Sequence, residues 1–317
     1  MKAQAKKIPN FPYVCLSLWR MMLPRVIRRL QRRLLLRGWE RRPDAEDIRE
    51  RVNYYCQYPL GKNDGELEAR EITPWRFNSK YVFDLQSFLH GWPGRRRLNF
   101  FSGDTIENPD VPTIIKTRRL DSKASLSTLF NMDYRRHFMK VVDPVPFAEK
   151  EDVLFFRGAV SHKPHRIRMM EMWADAPFTD FGDTSTDWES PWKRPMVKVT
   201  EHFRYRYILC PEGNDVCSSL QWVMASECVP VMTRPTVEGW LMHGKMEAGV
   251  HYVEIAPDYS DLQEKMEYYF AHPEEAEAIS RNSQVWAERF ADRRRERIIS
   301  HLVLERYFSE NSGNSDN

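Results

Sequence analysis

Residues 201 to 255 read EHFRYRYILCPEGNDVCSSLQWVMASECVPVMTRPTVEGWLMHGKMEAGVHYVEI, and they decide the fold. Two short apolar runs, Tyr207 to Cys210 and Cys228 to Met232, have the length and residue types of buried strands. Between them come a polar turn, Pro211 to Asp215, and a helix-like segment, Ser218 to Ser226. Strand, turn, helix, strand is the repeating unit of a parallel α/β sheet. Ligands of such sheets settle beyond the carboxyl ends of the strands. The turn around Gly213 and the helix start at Ser218 and Ser219 are therefore the first candidate site. A glycine permits close backbone approach, and the N–H groups of a helix start suit phosphate oxygens. Many turns of this kind bind nothing, so spacing alone leaves both readings open.

Working outward, Val153 to Phe156 predicts another apolar strand, followed by Arg157-Gly158, a loop with Pro164 and a helix from about His165. Arg157, Gly158 and Arg166 form a second candidate, because arginine gives bidentate, charge-assisted bonds to a diphosphate. The plainer alternative for each arginine is a neighbouring carboxylate. Phe178 to Trp192 reads as loop. Ser260-Asp261-Leu262-Gln263 has capping-box spacing and predicts a helix from Asp261; His272-Pro273 ends it, and two further helices run to Phe308. Upstream, Asp44 to Tyr58 predicts a helix with Ile48, Val52 and Tyr55 on one face, and Gly61 to Gly65 a turn. Trp75 to Phe88 fits both periods. Leu98 to Phe101 and Thr113 to Ile115 predict strands, the first ending in Ser102-Gly103-Asp104. Asp104 is a candidate general base, with bonding to its own turn as the alternative. Asp143 to Pro146 marks a boundary.

The chain has 317 residues, 42% hydrophobic and 29% charged, so there is material for a sizeable core and for two domains. Its five scattered cysteines suit free, buried thiols. The net charge of +3 conceals an imbalance: residues 1–42 hold twelve Lys or Arg against Glu40, or +11, which leaves −8 for the remainder. After Pro24, apolar Val26, Ile27, Leu30, Leu34 and Leu35 recur at helical spacing among arginines. That pattern fits a helix lying in an anionic membrane surface, with packing on the acidic body as the alternative. The apolar runs are too short for a transmembrane span, and no signal peptide is legible. No zinc spacing, Walker loop or Gly-x-Ser-x-Gly elbow occurs, and no nucleic-acid motif follows the arm. Trp222, Trp240 and Trp286 could stack on a sugar, although tryptophan at helical spacing is usually core.

Longer blocks carry a resemblance. RVNYYC at Arg51, NFFSGDTIENPDVPTIIKTR at Asn99, FFRGAVSHKPHR at Phe155, the stretch quoted above, RPTVEGWLMHGKMEAGVHYVEIAPDYSDL at Arg234 and VLERYF at Val303 keep their order. Together they resemble the lipopolysaccharide A-type proteins of glycosyltransferase family 90, relatives of capsule-associated proteins and protein O-glucosyltransferases.

The resemblance implies an α/β, GT-B-like fold: two Rossmann-like halves facing a cleft, with C-terminal helices and a basic N-terminal helix. The implied organisation is a basic amphipathic arm over 1–42 and an acceptor-side half over 43–146, completed by the C-terminal helices. A nucleotide-sugar donor half then occupies 147–310, and 311–317 form a disordered tail. It implies inverting transfer of a sugar from a nucleotide sugar, a UDP-sugar by analogy, without metal or other cofactor, to lipopolysaccharide or a related surface glycan. Asp104 falls on the family's base, and Arg157, Gly158, Arg166, Gly213, Ser218, Ser219 and Arg234 fall on or beside its donor loops. Gln221 departs from a donor-binding arginine of the animal members, which keeps open a non-catalytic, glycan-binding scaffold. The expected place is cytoplasmic, peripheral on the inner face of the membrane, with a lipid-linked acceptor, anionic lipid as partner of the arm, and no nucleic acid.

Overall fold

Five parallel strands carry out the pattern read in residues 201–255. The computed structural model describes residues 4–6, 10–60, 65–77, 79, 81–93, 95–104, 107–121 and 126–309. Along the chain the principal helices are α1 (Asn10–Met22), α2 (Arg25–Leu36), α3 (Ala45–Tyr55), α4 (Tyr81–Leu89), α5 (Pro164–Trp173), α6 (Leu220–Met224), α7 (Leu262–Ala271), α8 (Pro273–Glu288) and α9 (Arg293–Tyr307). The sheet strands are β1 (Glu151–Gly158), β2 (Thr179–Asp183), β3 (Tyr205–Leu209), β4 (Val229–Thr233) and β5 (Val253–Ile255). The turn expected at Gly61 to Gly65 lies, apart from Gly65, outside the described residues, as does the tail from 311 to 317.

The chain divides into two compact units. One comprises Met1–Lys7, Met139–Pro235 and Gly244–Phe290; the other comprises Ile8–Phe138, Thr236–His243 and Ala291–Asn317. The first unit holds the sheet. Its strand order is β5-β4-β3-β1-β2, with every neighbour parallel. Alternation along each strand sends residues to both faces. On one face Phe156, Tyr207 and Val231 meet Met169 and Met170 of α5, Leu262 and Met266 of α7, and Ile279 of α8. On the other, Phe155 stacks on Tyr205 with ring centroids 4.3 Å apart, His202 meets the Phe155 ring, and Trp222 of α6 meets His202. A sheet covered on both faces explains why its strands read as continuous apolar runs.

Two expectations fail here for local reasons. Phe178 to Trp192 contains the edge strand β2, whose sequence TDFGD lacks apolar continuity because β1 is its one strand partner, with a single bridge from Asp183 to Lys193 beyond it. The capping box at Ser260 does not form, although α7 starts at Leu262. Asp261 accepts from the Ala256 amide instead, and the Ser260 hydroxyl donates to Asp258.

The second unit is mainly helical. α3 packs against α9, and its apolar face carries Ile48, Val52 and Tyr55 as expected. Among the described residues its strands form short pairs: Leu67–Glu68 with Arg97–Leu98, Thr113–Ile115 with Ser127–Leu129, and Arg118–Arg119 with Val237–Glu238. The middle pair is parallel and a parallel bridge joins Phe100 to Ile114, so three segments run side by side. Trp75 to Phe88 resolves into helix at Pro74–Phe77 and α4. In the arm, α1 buries Tyr13 and Ser17, whereas α2 buries no residue. No helix among the described residues is long and apolar enough to cross a membrane.

Candidate functional site

In a sheet of order 2-1-3-4-5, the chain leaves β1 and β3 in opposite directions, and the crevice beyond their carboxyl ends is the expected ligand position. The loops emerging there are Ala159–Lys163 after β1 and Cys210–Ser219 after β3. Arg166, in the first turn of α5, holds them together. Its Nη1 donates to the Ala159 carbonyl at 2.8 Å, its Nε to Glu212 at 2.9 Å and its Nη2 to Pro211 at 2.9 Å. His165 adds a bond from its ring to the Glu212 carbonyl at 2.9 Å. Arg166 is buried, and among the described residues no carboxylate pairs with it. Burial lowers its affinity for its proton, opposed by the nearby Cys217, Tyr259 and Cys210 side chains. The switch point thus carries a positive charge met by carbonyl dipoles and, among the described residues, by no carboxylate.

Gly158 and Gly213 lie beside this guanidinium. A Cβ built on them would sit 3.7 Å from Nη1 and 3.6 Å from Nη2 respectively. Gly213 donates its amide to the Asp215 carbonyl at 2.8 Å, so that N–H is already used within the turn. Ser219 precedes α6, with its hydroxyl 3.1 Å from the Cys217 sulfur, and Ser218 is exposed. A hydrogen bond from Cys210 makes Cys217 the more acidic of the two buried thiols, with Ser219 and the charge of Arg166 acting in the same direction.

The other two arginines have acidic partners. Arg157 pairs with Asp180 of β2 at 2.6 Å, donates to the Asp180 carbonyl at 2.8 Å and covers the Phe155 ring. Gly182 makes room for it: a Cβ there would lie 2.8 Å from Arg157 Cδ and 2.6 Å from Arg194. Arg234 follows β4, is largely exposed and reaches Glu254 at 3.5 Å. The structure therefore brings Gly158, Arg166 and Gly213 together, and gives Arg157 and Arg234 carboxylate partners of their own.

Asp104 belongs to the helical unit. Its Oδ1 accepts from Lys116 at 2.7 Å and from the Tyr81 hydroxyl at 2.7 Å, and Lys116 is itself buried. The Asp104 side chain is 33% exposed. Lys116 and Tyr81 were not singled out by sequence, because nothing local marks a partner 12 or 23 residues away. Two further buried acids escaped the sequence reading. Glu296 receives Arg51 at 2.6 and 2.7 Å and the Trp240 indole at 2.5 Å. Glu238 receives Arg118 at 2.6 Å and a short bond from Tyr54. Trp240 stacks on Tyr55 at 4.0 Å, and Trp222, Trp240 and Trp286 are all buried, so these indoles are core and do not present a sugar platform. Among the described residues no three His, Cys, Asp or Glu side chains gather as a metal site.

Comparison with known proteins meets this geometry. The model of glycosyl transferase family 90 matches residues 127–301, which include the β1 and β3 loops and Arg166. The O-glucosyltransferase LpsA of Dichelobacter nodosus is 37% identical over 264 residues, 83% of this chain and 83% of that protein. Protein O-glucosyltransferase 2 of Danio rerio is 28% identical over 142 residues, 42% of this chain and 28% of that protein. The buried Arg166 at the switch point of the parallel sheet falls inside the matched region, and the chain belongs to glycosyltransferase family 90 and is a glycosyltransferase.

Proposed function

We propose that this enzyme transfers a sugar from a nucleotide-sugar donor to a hydroxyl of lipopolysaccharide or a related surface glycan, with inversion. The observation that carries the donor half of this reading is Arg166, a buried guanidinium without a carboxylate partner among the described residues, where two sheet loops meet. A donor diphosphate would meet this guanidinium and the glycines beside it. Gly158, Gly213, Ser218, Ser219, Arg157 and Arg234 line or flank the same carboxyl edge of the sheet. In this reading the sheet unit is the donor half of a GT-B-like pair, the helical unit is the acceptor half, and the donor is a UDP-sugar. The names of both relatives make glucose the first sugar to test.

Asp104 is the base of this mechanism. It takes the proton of the acceptor hydroxyl as that oxygen attacks the anomeric carbon. The bond from that carbon to the diphosphate breaks, and its electron pair leaves with the nucleoside diphosphate. Arg166 and the loop amides stabilise the departing charge, so protein groups meet the diphosphate without a bound metal. The acceptor is lipid-linked, which places the enzyme at the cytoplasmic face of the membrane through its arginine-rich arm. Asp104→Asn is expected to lower turnover by about 10²- to 10⁴-fold while donor affinity stays within a factor of about two. Unchanged turnover would remove Asp104 from the mechanism.

A further inference from the structure

Beside α1, α2, α4 and α9, the helical unit contains a cavity of about 240 Å³. Two helix faces supply most of its polar wall. Tyr13, Ser17 and Arg20 stand at helical spacing on α1, and Arg293, Arg297 and His301 at i, i+4 and i+8 on α9. Arg28 of α2 completes it. Four arginines thus line one small space.

Their partners do not match their number. Among the described residues Asp84 is the one acid in the lining; its carboxylate takes a short bond from Tyr13 and a bond of 3.2 Å from the Tyr134 amide. Arg28 reaches Gln31 at 3.0 Å and the Ser87 carbonyl, leaving its buried Nε without a partner among the described residues. Arg293 lies over the Phe138 ring. Arg20 and Arg297 are half-buried, and no acid among the described residues pairs with either. The buried His301 has no partner for Nδ1 among the described residues. Burial, together with Arg20 and Arg297, pushes Arg28 down to about 10, and burial with Arg20 acts on Arg297 in the same direction. Like charges at i, i+4 also oppose helix formation, so α9 carries an internal repulsion that an anion would relieve.

The neighbouring surface says what kind of anion this is. Leu16 lines the cavity and is 45% exposed. Next to it along the arm, Trp19, Met22, Val26, Ile27, Leu30 and Leu34 are all exposed. A free ion has no use for that apolar strip, whereas a membrane lipid presents a phosphate with hydrocarbon attached.

We propose that this cavity is a binding site for the phosphate headgroup of a membrane lipid, held by Arg20, Arg28, Arg293 and Arg297, with the exposed faces of α1 and α2 against the bilayer. The proposal deepens the membrane part of the proposed function and rests on it; the transferase chemistry does not depend on it.

The test is sedimentation of the full chain with phosphatidylcholine vesicles, with and without phosphatidic acid. Wild type is expected to require the anionic lipid. Arg297→Gln and Arg20→Gln should each weaken binding by about tenfold, since each removes a partly desolvated, charge-assisted contact. Arg33→Gln, an equal charge loss on the exposed face of α2, should cost no more than about fivefold. Losses at Arg33 equal to those at Arg297 would mean diffuse attraction and overturn a defined site. Arg20→Gln alone carries the test if Arg297→Gln does not fold. Short-chain phosphatidic acid below its micelle concentration should raise the Tm of wild type and leave Arg297→Gln unmoved. An equal rise with inorganic phosphate would assign the cavity to a free anion, and tighter binding to duplex DNA than to the vesicles would assign it to nucleic acid; either result overturns the lipid proposal. Nucleoside diphosphate release with donor and a lipopolysaccharide core acceptor but without vesicles, measured on the same variants, should equal wild type. A lost lipid dependence is thereby kept apart from a failure of the transferase reading.

Discussion

Arginine does opposite things in the two units. At the sheet's switch point, Arg166 spends its hydrogen bonds on three carbonyls and joins two loops. In the helical cavity, Arg20, Arg28 and Arg297 crowd one another with a single, already engaged acid among the lining groups. The first arrangement is paid for by the fold and the second is not. One cation therefore holds a site in shape, while the others await something negative. Position along the sheet or helix does not decide between these roles; the inventory of partners does. α9 shows both on one helix, since Glu296 takes Arg51 on one face and the adjacent Arg297 faces the cavity.

Arg166→Ala removes the donor to three loop carbonyls, of which Glu212 keeps His165, and should cost about 3 kcal/mol of stability, together with donor affinity. A variant that loses donor affinity with an unchanged denaturation midpoint would show that Arg166 is a contact and not a clasp. The buried Arg51–Glu296 pair gives the next largest effect. Burial alone would raise the Glu296 carboxyl, but the charge of Arg51 and bonds from His137 and Arg51 bring it down to about 2. A depressed carboxyl contributes stability that is fully present above its unfolded value near 4.5 and is lost as pH falls toward 2. The stability of the helical unit should therefore drop by about 3 kcal/mol across that window, read from denaturation midpoints at stepped pH. A flat profile would show that the pair is not formed.

Arg157 should separate from Arg166 more gently. Because Asp180 already holds it, Arg157→Gln is expected to raise the donor KM by about tenfold with little change in Tm. A large fall in Tm instead would make it part of the sheet's structure. The smallest effect should have the opposite sign. Arg297→Gln removes a half-buried charge that repels its neighbours, so without lipid it should stabilise the protein by about 1 kcal/mol. Destabilisation of that size would mean that the cavity arginines are structurally satisfied.

The sheet was legible in the sequence because its information is local. Tyr207 to Cys210 and Val229 to Met232 are buried on both faces, and a polar turn and short helix stand between them. α2 was legible because its apolar residues keep the helical period. β2 was not, since an edge strand needs no apolar run, and the absent capping box shows that Asp261 can serve the Ala256 amide instead. The site was half legible. Gly158, Arg166 and Gly213 were marked by their places at strand ends and do converge. The partners of Asp104, the salt bridge between residues 245 positions apart and the pairing of Tyr13 with Asp84 are products of the fold, and no spacing rule reaches them.

One measurement bears most directly on the account. The protein is incubated with a panel of nucleotide sugars, with and without a lipopolysaccharide core acceptor, while nucleoside diphosphate release and acceptor mass are followed. The account predicts one preferred donor, UDP-glucose tested first, with diphosphate release dependent on acceptor and an acceptor mass increased by one sugar. Absence of release with every donor, while Arg166 and its loops remain folded, would contradict it.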